Sequence, residues 1–142
     1  MLNPSDALRP HGQSEFLADG AIIRITVEGP FNLQGMTEFG QKMQRLFAEI
    51  PAGHGVVTLA DVQNSILSTP EAWSLLEALI LRMQGGTVRL LGTAWVVAET
   101  VEGRALLLPR AHRAYAAAGR PFAVFTDATA AEAWAHERLT EG

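Results

Sequence analysis

The densest group of side chains able to do chemistry is DVQNSILSTPEAW, residues 61–73, where Asp61, Asn64, Ser65, Ser68, Thr69 and Glu71 separate two strongly apolar segments. Its hydroxyls stand where a helix N-terminus is expected, and backbone N–H groups there favour a phosphate. Ser65, Ser68 and Thr69 are therefore candidate regulatory hydroxyls, and Asp61, Asn64 and Glu71 belong to a candidate partner loop. The same residues also read as caps. Thr69 can cap with Pro70 at the first helical position, or Ser68 can cap with Glu71 three residues later as a capping box. Either version accounts for the stretch without regulation, and the Glu71 carboxylate would compete with an added phosphate.

Other spacings carry little chemistry. There is no G-x-G-x-x-G after a strand-like run, no G-x-x-x-x-G-K-[ST] and no G-x-S-x-G, and the only lysine is Lys42, so neither a nucleotide loop nor a serine-nucleophile elbow is expected. No catalytic residue is assigned. Glu132 and His136 stand at i, i+4 and could share a helix face, but no further ligands accompany them and no metal or cofactor is expected. The absence of cysteine excludes disulfides and thiolate chemistry and fits a reducing compartment. Arg104, Arg110, Arg113 and Arg120 lie close in sequence, but a helix spreads them over several faces, so they read as a solvated surface. With a net charge of -4, neither nucleic acid nor an anionic membrane is an expected partner. No apolar run reaches the ~18 residues of a membrane span, and MLNPSDALRPHGQS lacks a basic-then-apolar leader pattern. A bacterial-type cytoplasmic protein is the expectation.

The elements that must position these residues are well marked. At 142 residues, 48% hydrophobic and 18% charged, the chain can bury a core as one domain. Residues 1–13 lack periodicity and read as a flexible tail, with a single domain over 14–142. SEFLADGAIIRITVEG reads as a hairpin turning at Asp19-Gly20. NLQGMTEFGQKMQRLFAEI carries one helical stripe, with Asn32 as N-cap. GVVTLADV and TVRLLGTAWVVA read as central strands buried on both faces, the second with a bulge or close approach at Gly92. Between them, TPEAWSLLEALILRMQGG is a helix whose apolar arc is widened by Trp73 and Leu81, which implies burial on two sides, under another helix or a second subunit. PRAHRAYAAAG reads as a helix opened by Pro109, with residues 102–108 unassigned, and PFAVFTD as a strand before a last helix capped by Asp127 or Thr129. The order implies an α/β fold: an N-terminal hairpin leading into a mostly parallel, mixed sheet of about four to five strands with about four helices.

VEGPFNL, Ala60-Asp61 at the end of a strand, TPEAW at a helix start and AGRPFAVFTDATAAEAW together resemble the SpoIIAA-like proteins, bacterial domains of the STAS class. The resemblance covers residues 14–139. It implies a STAS-like fold and, by the habit of anti-anti-sigma factors, a serine switch in a D-S-[ST]-G signature. Here Asp61 is followed by Val62, Gln63 and Asn64 instead, and Ser68 and Thr69 occupy a similar helix start after a longer loop. The SpoIIAA-like branch is also similar to lipid-carrying folds, which makes Trp73, Leu81, Met83 and Trp95 candidates for an apolar ligand pocket or a dimer surface. Three functions follow as expectations: a non-enzymatic regulatory or protein-binding domain, a carrier or sensor of a small hydrophobic ligand, and an enzyme with an unrecognised site.

Overall fold

The alternating run around Asp19 forms a hairpin in which β1 (Gln13–Asp19) pairs antiparallel with β2 (Ile22–Glu28). Its loop is Gly20-Ala21, one residue later than expected, because Asp19 itself pairs with Ile22. Gly20 takes φ +58°, a left-handed conformation that a tight hairpin loop demands and glycine adopts without strain. The computed structural model describes residues 9–141, and order reaches back beyond the expected start at Ser14. The Asn32 side chain explains why: it accepts from His11 N at 2.9 Å and donates to the Arg9 carbonyl at 2.8 Å. The rest of the expected tail, residues 1–8, lies outside the described residues.

Asn32 also accepts from Gly35 N at 2.9 Å, so the predicted N-cap opens α1 (Leu33–Ala48). There follow β3 (Gly55–Gln63), α2 (Pro70–Gln84), β4 (Arg89–Val97), α3 (Arg104–Ala118), β5 (Phe122–Phe125) and α4 (Ala128–Glu141). The sheet order is β1-β2-β3-β4-β5, with β2 to β5 parallel. A chain that steps one strand at a time in one direction, with right-handed crossovers, places α1, α2 and α3 on one face. The fourth helix covers the other face against β3, β4 and β5.

Both faces of the central strands are therefore apolar, which is why β3 and β4 read as near-continuous hydrophobic runs. Ile25, Ala60 and Trp95 face the three-helix side, and Val57, Leu59 and Ala94 face Ala131 and Ala135 of α4. The β3–β4 register slips between Val56 and Val57 of β3, which pair with Leu90 and Gly92 and leave Leu91 of β4 as a bulge. A Cβ on Gly92 would stand 2.8 Å from the Trp134 ring, so the missing side chain lets α4 lie close on the strand. The last helix is capped by Asp127, which accepts from Ala130 N at 2.9 Å.

The third helix departs from the sequence expectation. It begins at Arg104, after Gly103 in the left-handed region, and Pro109 lies inside it rather than at its first turn. Proline there forgoes one helical hydrogen bond. Burial outweighs that loss, because Leu107 and Leu108, ahead of the proline, pack on the core and tertiary contacts override local propensity.

Candidate functional site

Between the sheet and helices α1 and α2 the protein encloses a cavity of about 80 Å³. Three side chains on neighbouring strands show how the space arises. Ile25, Ala60 and Trp95 are register partners across β2, β3 and β4, and the small Ala60 between two large neighbours leaves a hollow under the helices. Met36, Phe39 and Met43 of α1 and Trp73, Leu76 and Met83 of α2 form much of the roof. Three of the four methionines in the chain thus line one cavity, and their unbranched, polarizable side chains give it walls that can re-pack.

The cavity is polar at two places. Near the carboxyl ends of the strands it meets Ser65 and Ser68, and deeper in, toward the amino ends, Thr58, Thr93, Tyr115 and Arg120. The Thr58 and Thr93 hydroxyls are 2.7 Å apart. Arg120, only 7% exposed, donates from Nη1 to Thr93 Oγ1 at 3.2 Å, from Nε to Gln84 Oε1 at 2.7 Å and from Nη2 to the Ile80 carbonyl at 2.9 Å. Its guanidinium also lies 5.3 Å from the centre of the Tyr115 ring. Every one of these acceptors is neutral, and no carboxylate among the described residues pairs with Arg120. Burial pushes the guanidinium pKa down. The same enclosure pushes the Tyr115 hydroxyl up, a rise that the Arg120 charge partly opposes. A second buried donor, Trp73 Nε1, has no hydrogen-bond partner.

The loop after β3 is a structural joint. Ser65 is 2% exposed; its hydroxyl donates to Glu102 Oε1 at 2.8 Å and accepts from Leu67 N at 3.1 Å. Asn64 takes φ +68° and donates from Nδ2 to the Gly29 carbonyl at 2.7 Å. Phe31 N and Thr69 N bond the Leu67 and Phe31 carbonyls, each at 3.0 Å, so the loops after β2 and β3 are laced together. Thr69 is the N-cap of α2, accepting from Ala72 N at 3.2 Å, with Pro70 at the first helical position. The Ser68 hydroxyl points back to the Ile66 carbonyl at 3.5 Å. Asp61 accepts from Gln63 Nε2 at 3.0 Å, and Glu71 is exposed in the first turn of α2.

Of the four residues read as a ligand or dimer surface, Trp73, Met83 and Trp95 line the cavity, whereas Leu81 is 56% exposed on the outside of α2. Trp73 needs no second subunit to cover it, because Arg110 of α3 lies over its ring at 5.2 Å and bonds Glu77 at 2.7 Å. Arg104 donates to the Val97 carbonyl at 3.1 Å. The four arginines are thus dispersed, but Arg120 is buried instead of solvated. Glu132 is taken by Arg24 through both carboxylate oxygens, and no group of three metal-ligating side chains occurs among the described residues.

Sequence reasoning missed Thr58, Thr93, Tyr115 and Arg120. A usable signal existed for the two threonines: a hydroxyl inside a strand buried on both faces must find a hydrogen-bond partner, and each of the two central strands carries one. No helix among the described residues is long and apolar enough to cross a membrane. No family model, curated protein or solved structure matches the chain. What the geometry defines is an α/β domain that encloses an apolar cavity beside one buried cation.

Proposed function

We propose that this protein is a STAS-like, SpoIIAA-like domain that binds a small hydrophobic molecule between its sheet and helices α1 and α2. The observation that carries the reading is the cavity under α1 and α2, with its methionine-rich roof and an unpartnered indole N–H. Well-packed interiors contain few voids larger than a water, and a pocket with mostly apolar walls and few polar groups is the usual form of a small-molecule site. Native mass spectrometry of the protein purified from the cells that make it tests the reading. A stoichiometric, non-covalent added mass that is lost on denaturation is expected. A bare mass, together with no uptake of any small apolar probe by the purified protein, overturns it.

A second reading, a regulatory protein-binding domain that presents the 61–71 loop, is favoured by one contact: Ser65 and Ser68 belong both to that loop and to the cavity wall. Under it, ligand occupancy alters the loop and so the partner surface. Slower amide hydrogen exchange at Leu67 and Ala72 on ligand binding would support the coupling, and unchanged exchange there would remove it.

A further inference from the structure

Arg120 is a buried cation whose partners among the described residues are all neutral. A guanidinium has five N–H donors. Three are used, by Gln84, Thr93 and the Ile80 carbonyl, which leaves one N–H on each Nη. The Ile80 carbonyl lies in the last turns of α2, whose negative end compensates part of the charge, and the Tyr115 face compensates a little more. Neither is an anion, and a buried charge is costly until it is paired.

We infer that the ligand is a small apolar monocarboxylate whose two oxygens are received by Arg120 while its hydrocarbon part lies under the methionines of α1 and α2. This deepens the cavity reading above and rests on it. A carboxylate fits the count: it brings one negative charge and two acceptor oxygens to a cation with two N–H groups to spare. A phosphate would bring further charge to walls formed largely by apolar side chains such as Leu79, Leu90 and Ile80, where burying it is costly. Size sets the other limit. The cavity, about 80 Å³, is smaller than the roughly 150 Å³ void that accepts benzene, so the hydrocarbon part is a short, flexible chain rather than a ring, admitted by re-packing of Met36, Met43 and Met83.

The test is a titration of the full chain, labelled with ¹³C at the methionine methyl groups, with hexanoate and with two neutral molecules of matched length, hexanamide and 1-hexanol. Hexanoate is expected to shift the Met36, Met43 and Met83 signals and to bind roughly 10- to 100-fold more tightly than either neutral probe, the range of a hydrogen bond to a charged group. In Arg120→Gln that preference is expected to collapse while 1-hexanol still binds, and Arg120→Lys is expected to keep part of it. Equal affinities in the wild-type chain would overturn the carboxylate inference and leave the cavity reading standing, and this comparison needs no variant to fold. No methionine shift with any of the three probes would overturn the cavity reading itself.

Discussion

Thr58 and Thr93 are register partners on adjacent central strands, and their hydroxyls meet at 2.7 Å in a part of the sheet that is otherwise apolar. Because Arg120 Nη1 donates to Thr93 Oγ1 at 3.2 Å, the pair connects the inside of the sheet to the end of α2, where Arg120 also bonds Gln84 and the Ile80 carbonyl. A guanidinium held at three points keeps one orientation, and removing one member of such a buried network leaves another without its partner.

Thr93→Val should therefore cost more than its small change in shape. It leaves the Thr58 hydroxyl and one Arg120 N–H buried without a partner, and an orphaned buried polar group costs about 1–3 kcal/mol. Urea denaturation should show a loss in that range for Thr93→Val. The double variant Thr58→Val with Thr93→Val should lose less than the sum of the two single changes, since the second substitution removes a group the first had stranded. Strict additivity would mean that the two hydroxyls do not act as a unit.

The same network shows where sequence reasoning stops. The layers, the stripe of α1, the two doubly buried strands and the Asn32 and Thr69 caps follow from periodicity and local chemistry, which act over a few residues. The site does not. Thr58 and Thr93 are 35 residues apart and Arg120 another 27 beyond, and nothing local to AGRPF says that its arginine turns inward. Pro109 misleads for the opposite reason: a strong local signal for a helix start is overridden by the burial of Leu107 and Leu108 ahead of it.

Substitutions at the Ser65 and Thr69 hydroxyls of the 65–69 loop should separate by stability. Thr69→Ala removes the acceptor for Ala72 N and should cost about 1 kcal/mol, whereas Thr69→Asp, which can still cap, should be near neutral. Ser65→Ala removes a buried hydroxyl that bonds Leu67 N and Glu102 and should cost about 1 kcal/mol, since water can reach the exposed Glu102 carboxylate. Thermal denaturation of the three variants checks the order. An inert Ser65→Ala would show that its buried hydroxyl does not hold the loop.

The Arg24–Glu132 pair should leave a mark on the acid side of the stability curve. Hydrogen bonding from Arg24 is the main cause holding the Glu132 carboxyl below its ordinary 4.5. A depressed folded-state pKa contributes stability that is present above the unfolded value and lost as pH falls through the folded one. Glu132→Gln should accordingly be less stable than wild type at pH 7 and converge with it in acid below about pH 4.5. About a third of each side chain is exposed, so water screens the pair and the difference should be only about 0.2–1 kcal/mol. A difference that persists unchanged in acid would assign the effect to the packing of α4 on the sheet.

Filling the hollow over Ala60 should stabilise the protein and exclude its ligand together. Ala60 is buried, lines the cavity and stands between Ile25 and Trp95 across the sheet. In a close-packed core extra methyl groups ordinarily force strain of about 1–3 kcal/mol, but over an unfilled space the same atoms gain about 0.8 kcal/mol for each buried methylene-sized group. Valine also suits a strand. Ala60→Val should therefore raise the urea midpoint by the equivalent of about 0.5–2 kcal/mol while weakening hexanoate binding, because the added methyl groups occupy the volume the hydrocarbon chain would take. A variant that loses stability would show that the space is closed by its neighbours in solution, and one that gains stability yet binds hexanoate unchanged would place the ligand away from the middle of β3.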